Sequence, residues 1–254
     1  MRYTGPAVHL DRLRAACGAC SLHELCLPHG LGVADLARLE DVVGAPRVRP
    51  PGRVLFRAGE PFHSLFVPRS GTVKTTAADH TGAERVLGFH LPGEIVGLDG
   101  LANGYHQASA RTLETASVCE VPFAHLERVM EHVPALAHRF VRLMSQDIAH
   151  REGHLLTLTD LSSDRRVATL LLSLAARWEA RGYSGHEFNL SMSRQEIASY
   201  LGLAPETVSR ALRRLQTRRL IAARGRLVRV LDDVGLHALA DVTPCPPACR
   251  TAHA

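Results

Sequence analysis

The sequence has no apolar run long enough to cross a bilayer. Its longest, around Ala168 to Ala176, falls well short of the ~20 residues a spanning helix needs, so no membrane partner is expected. No apolar stretch of the signal-peptide kind follows the N-terminus, and a cytoplasmic protein is expected. Fifteen histidines are scattered without the spacing of a metal site, and they read as surface or core residues. There is no acid–base constellation that would embrace a substrate, and no Cys-x-x-Cys set in a thioredoxin-like βαβ pattern, so an enzyme is not expected. Cysteine is scarce, six residues in 254, and in a cytosolic chain those thiols point to metal or redox chemistry before structural disulfides. Apolar residues are not lacking. At 46% hydrophobic content the chain can bury a real core, and its length suits two modest domains.

The formal charge of +5 fits an anionic partner, and the position of the arginines says which. From Ser191 to Leu231 the sequence reads as a helix, a tight turn, a second helix and a basic hairpin. Ser193 and Glu196 have the spacing of a capping box, which starts a helix near Arg194. Gly202 permits the turn, and Pro205 suits the first position of the next helix. There Val208, Leu212 and Leu215 form a buried stripe, while Glu206, Ser209, Arg210 and Arg213 form the exposed one. Arginine can donate twice to guanine, glutamate accepts from cytosine, and serine bonds several base edges. A helix-turn-helix inserts this end of its second helix into the major groove. Leu220-Ile221 and Leu227 to Val230, around Gly225, make a wing. Nine arginines against two glutamates between Ser193 and Arg229 attract phosphate, so double-stranded DNA is the expected partner.

Upstream, Cys17, Cys20 and Cys26 lie close enough on one loop to grip a small object together. A chance cluster of thiols and a zinc site are the other readings of this spacing, and sequence chemistry alone leaves the metal open. Short apolar runs punctuated by glycine between Gly44 and Phe123 read as an antiparallel barrel or jelly roll. Cys119, in its last strand from Ala116 to Val121, is the natural fourth ligand. Pro134 can start a helix running to about Leu161, on which Val141, Met144, Ile148, Leu155 and Leu158 recur in steps of three and four. That is the seam of a two-stranded coiled coil, so a homodimer is expected, with Arg151 in the remaining seam position and Glu152 available to neutralise it. A hinge at Leu161 to Asp164 leads into a helix from Arg165 to Arg181.

The run Glu206-Thr207-Val208-Ser209-Arg210, in its winged helix-turn-helix setting, resembles the recognition helix of the Crp–Fnr transcription regulators, and most of all their oxygen-responsive, fumarate-and-nitrate-reduction branch. The jelly roll is similar to that family's effector domain, and Cys17, Cys20, Cys26 and Cys119 match the four cysteines that hold a [4Fe–4S] cluster there. The resemblance implies an oxygen-sensing regulator whose intact cluster favours the dimer. It also implies a half-site close to TTGAT and RNA polymerase as a protein partner, with loops such as Asp79 to Glu84 as contacts. The cyclic-nucleotide branch carries an Arg-Ser pair in the turn after Gly-Glu. Here Gly93-Glu94 is present but the pair falls at Ser109-Ala110, with Arg111 one position on, so a cyclic nucleotide is not expected. The family usually has an acidic residue where Arg151 stands.

The expected fold is therefore α+β, in five parts. These are a cysteine-rich loop (1–30), a jelly roll (31–133), a dimerisation helix (134–162), a winged helix-turn-helix (163–240) and a disordered tail (241–254). The tail's Cys245 and Cys249 are expected not to ligate. The competing expectation is a Crp-like regulator that answers to haem or another small effector, with structural cysteines.

Overall fold

A computed structural model describes residues 17–160 and 162–240. The tail with Cys245 and Cys249, the first 16 residues and Leu161 lie outside the described residues. After the cysteine loop comes helix α1 (Val33–Val42), then seven short strands: β1 (Arg47–Arg49), β2 (Val54–Phe56), β3 (Ser64–Ser70), β4 (Val73–Ala78), β5 (Glu84–His90), β6 (Ser109–Thr112) and β7 (Ala116–Pro122). They form two antiparallel sheets, ordered β1-β7-β3 and β2-β6-β4-β5, the expected roll. Its interior is lined by Phe56, Phe66, Val73, Val96, Ala110 and Val118. Along β6, Ala110 and Thr112 are buried within the roll. Side chains alternate along a strand, which puts Arg111 on the outer face, in register with Lys74.

Helix α2 (Phe123–His132) leads into α3 (Pro134–Asp160), 27 residues long, as the run free of internal proline predicts. Helix α4 (Ser163–Glu179) starts where Ser162 accepts the Arg165 backbone N–H. Strand β8 (Glu187–Asn189), α5 (Arg194–Leu201), α6 (Pro205–Thr217), β9 (Ile221–Arg224), β10 (Leu227–Val230) and α7 (Asp233–Ala240) complete the order. Ser193 and Glu196 form the capping box in full, and Gly202 takes the left-handed conformation (φ 61°) that ends α5. No helix among the described residues is long and apolar enough to cross a membrane.

The cores do not respect the chain's parts. One cluster joins Leu27 of the cysteine loop to Leu39 of α1, Leu65, Val121, Leu126, and Leu136 and Phe140 of α3, with Cys17, Cys26 and Cys119 packed against it. Another runs from Val86 and Phe89 on β5 into α4, α5 and α6. Complete burial of a leucine is worth about 1.5–3 kcal/mol. These shared side chains therefore tie the roll to what lies on either side of it.

Candidate functional site

The cysteine loop is a series of tight turns. The Cys20 N–H donates to the Cys17 carbonyl at 3.2 Å, His23 N–H to Cys20 at 3.0 Å, and Cys26 N–H to Leu22 at 3.0 Å. Glu40 of α1 anchors the loop's start by accepting the Gly18 N–H at 3.0 Å. Cys119, opposite Val67 on β3, meets the loop from below. All four expected thiols, Cys17, Cys20, Cys26 and Cys119, line one cavity of ≈ 40 Å³ whose other walls include Leu22, Leu27, Leu39, Val67 and Val121. Among the described residues no three Cys, His, Asp or Glu side chains close on a point as they would around one metal ion. Burial, and then the neighbouring thiols, push Cys119 up to about 11 and Cys17 up to about 12; burial likewise pushes Cys26 up to about 12. As free groups these thiols stay protonated at neutral pH. A bound cationic group would have to displace their protons, which is what soft metal centres do to cysteine. Four sulfur donors in a largely apolar cavity, with His23 and Arg69 also on its wall, fit an iron–sulfur cluster.

At the other end, Glu206, Ser209, Arg210 and Arg213 all lie on the exposed face of α6, while Val208, Ala211, Leu212 and Leu215 are buried beneath them. The Ser209 hydroxyl donates to the Pro205 carbonyl at 3.0 Å, leaving its lone pairs outward. Among the described residues the guanidinium groups of Arg210 and Arg213 have no partner within the chain, while the Arg213 carbonyl accepts from the Thr217 hydroxyl at 3.0 Å. The nine arginines do not all face phosphate. Arg214 clasps Asp164 at 2.8 Å and Ser163 at 3.1 Å, fastening α6 to α4. Arg229 pairs with Glu187 of β8, Arg194 donates to the Gly225 carbonyl, and Arg226 donates to the Ser191 carbonyl. Arg210, Arg213, Arg218, Arg219 and Arg224 remain for a ligand.

On α3, Val141, Ile148 and Leu155 are each more than half exposed. Arg151 lies among them, and its partner is Asp147, one turn back on its own helix at 2.7 Å, rather than Glu152. Met144 is half-buried against the cysteine core, and Leu158 approaches Gly202.

Two family matches, each to one part of the chain, accompany this geometry. The description Cyclic nucleotide-binding domain fits residues 46–133, and Crp-like helix-turn-helix domain fits residues 165–239. The transcriptional activator protein anr of Pseudomonas aeruginosa is 46% identical over 227 residues, 89% of this chain and 93% of that one. The chain belongs to the Crp–Fnr family. It is a transcription regulator with a DNA-binding helix-turn-helix, and not an enzyme. The anaerobic regulatory protein of Pasteurella multocida is 38% identical over 89% of this chain and 83% of its own. The fumarate and nitrate reduction regulatory protein of Salmonella typhimurium is 37% identical over 89% of this chain and 91% of its own. Among solved structures, FixK2 from Bradyrhizobium japonicum superposes with a TM-score of 0.70 at 28% identity, over 76% of this chain and 96% of that one.

Within this Crp–Fnr frame the Gly93-Glu94 turn holds a surprise that no local pattern announces. Leu22 and Leu25 of the cysteine loop pack against Gly93. Both Glu94 oxygens are taken by the chain's own arginines, Arg177 at 2.5 and 2.9 Å and Arg181 at 2.7 Å. These arginines belong to α4 and the turn after it, so the turn clamps the DNA-binding part to the roll. Although burial opposes its ionisation, the two guanidinium groups hold the Glu94 carboxyl down to about 2, against an ordinary 4.5. Glu94 therefore contributes fully above about pH 4.5, and the contribution is lost as pH falls toward 2. Glu94→Gln should lower stability at pH 7 by about 2 kcal/mol or more, since it strands two arginines that are mostly buried. The deficit should shrink between pH 4.5 and pH 3. Denaturant titration followed by Trp178, the chain's one tryptophan, measures it, and a deficit independent of pH would mean that the clamp is not ionic.

Proposed function

We propose that this chain is an oxygen-responsive, homodimeric regulator acting in the cytoplasm, which holds a [4Fe–4S] cluster on Cys17, Cys20, Cys26 and Cys119 and binds a TTGAT-like inverted repeat. It would control the change to anaerobic metabolism. The observation that carries this is the gathering of four thiols from a turn-rich loop and a fixed strand around one apolar cavity. Two relatives, an anaerobic regulatory protein and a fumarate and nitrate reduction regulatory protein, support the same reading by their names. The division into a loop (1–30), roll (31–133), dimerisation helix (134–162), reading head (163–240) and tail (241–254) is part of the proposal.

When bound, the cluster supplies the oxygen-sensitive chemistry. The chain's own residues do the rest. The four thiolates hold the loop closed over β7, and the exposed seam residues Val141, Ile148 and Leu155 meet their copies, whereas Met144 packs against the cysteine core and Leu158 faces Gly202. Glu206, Ser209, Arg210 and Arg213 read one half-site, and the copy reads the other one helical turn away. A cyclic nucleotide has no place in this reading, because Glu94 is occupied and Arg111 lies outside the roll. RNA polymerase is the further partner, through the tip of the β4–β5 hairpin. There the Asp79 carboxylate accepts from Thr81 N–H at 2.9 Å, Ala83 N–H at 3.1 Å and Arg85 Nε at 2.9 Å.

Iron and acid-labile sulfide after anaerobic preparation, with an optical spectrum, test the proposal. A broad iron–sulfur absorption that decays in air is expected, and a Soret band in its place would favour a haem-binding regulator. The seam yields its own expectation. Arg151 is already neutralised by Asp147, so its cost to the dimer is modest, while the exposed Val141, Ile148 and Leu155 each gain up to about 1.5–3 kcal/mol on burial. Arg151→Leu should raise the dimer fraction of the air-exposed protein in sedimentation. An unchanged profile would place the control of dimerisation outside the seam.

A further inference from the structure

Helix α3 is gripped from the side opposite its exposed seam. The Arg139 guanidinium donates from Nε to the carbonyl of Cys26 at 3.0 Å and from Nη2 to the carbonyl of Glu24 at 3.0 Å. Two residues along a helix turn about 200°, so Val141, the first exposed seam residue, points away from the loop that Arg139 holds. The neighbours of Arg139 reinforce the attachment. Leu136 and Phe140 are buried in the core against which Cys17, Cys26 and Cys119 pack. The first turns of the dimerisation helix therefore lie between the cysteine loop on one side and the seam on the other.

We propose that Arg139 is the positioning residue through which the state of the cysteine site sets the first turns of α3, and so the dimer. The inference rests on the cluster-holding reading above. A guanidinium can bond two carbonyls 2 residues apart only while the turn presenting them is fixed. Cys26 supplies one of those carbonyls from its own backbone, so fixing its thiolate fixes the acceptor. An element favours one state only through contacts that differ between the two states. The bonds of Arg139 are such contacts, present when the loop is held and weakened when it is not. Arg139 touches no sulfur and is not a ligand.

Arg139→Met keeps the apolar stem and removes the donors, while Arg139→Lys leaves one ammonium that cannot span both carbonyls. The full chain, prepared anaerobically, is assayed for iron per chain, and its dimer dissociation constant is measured by sedimentation before and after exposure to air. In Arg139→Met the constant of the loaded form should rise about tenfold or more, as expected for charge-assisted bonds lost. The constant of the air-exposed form and the iron content should match the unmodified chain, and Arg139→Lys should fall between. Amide exchange over residues 17–30 should quicken in the loaded variants. Equal shifts in both states would make Arg139 merely structural, and unchanged switching would show that it carries nothing; either overturns the inference. Loss of iron from both variants would make Arg139 part of the site's scaffold and also overturn it. An unmodified chain that holds no iron, or whose dimer ignores air, overturns the oxygen-sensor reading itself and this inference with it.

Discussion

In Cys119→Ser, iron and acid-labile sulfide should fall to near zero after anaerobic preparation, while the fold persists. Cys119 sits mid-strand on β7, paired with Val67 of β3 and next to Val118, where the pairing with β1 ends, so its sulfur is the fixed point against which the loop closes. Serine has nearly the same shape, but its hydroxyl is a hard, weakly acidic ligand where a soft thiolate is needed. Cys17→Ser, Cys20→Ser and Cys26→Ser should behave alike, because each removes a quarter of the donor set. Cys245→Ser and Cys249→Ser should retain full iron. Circular dichroism melting separates loss of ligation from loss of fold, since serine keeps nearly the shape of the half-buried Cys119 against its core. A full complement of iron in Cys119→Ser would refute the assignment of the fourth ligand.

Arg210→Ala should weaken binding to the TTGAT repeat by about 1–3 kcal/mol per half-site and relax the preference at its G·C pair. Arg210 and Glu206 are four residues apart on one face of α6. The arginine can donate to the guanine while the glutamate accepts from the cytosine of the same pair. The proof lies in the pattern across operators. Loss of a base contact penalises the cognate sequence and spares variants already mismatched there, whereas loss of a phosphate contact weakens all sequences alike and lowers the salt slope. Arg224→Ala, at the wing tip, should show the second pattern. If Arg210→Ala weakens every sequence equally, the recognition assignment fails.

How much of this was legible in the chain follows from how local the determinants are. The capping serine, the turn glycine and the N1 proline lie within 13 residues of one another around α5 and α6, so the reading head could be found from pattern alone. The roll was legible from its glycine punctuation, and α3 from its freedom from internal proline. Helix α1 was not, because Gly32 provides no side-chain cap and only Leu39 is fully buried. Strand β8 was not, because three residues with only Phe188 inward show no period. In the candidate site the cysteines could be recognised by type and spacing. The roles of Arg139, Glu94 and Arg214 could not, even though the Gly93-Glu94 turn was noticed, since the partners that define those roles lie tens of residues away in the chain. For the same reason four of the nine arginines read as phosphate contacts turned out to be tied within the protein.

The chain has a single lysine, Lys74, and its ammonium reaches across from β4 to the α5 capping glutamate, Glu196, at 2.9 Å. That carboxylate also accepts the Ser193 N–H at 2.7 Å, so it is held by the roll and by the reading head together. Only one side-chain amine is therefore open to acylating reagents, and it is largely shielded where the two parts meet. Reagents that attack amines should label Lys74 slowly while the contact holds and faster when it opens. The unmodified protein thus carries its own chemical reporter of how closely the reading head is docked, with no engineered label required.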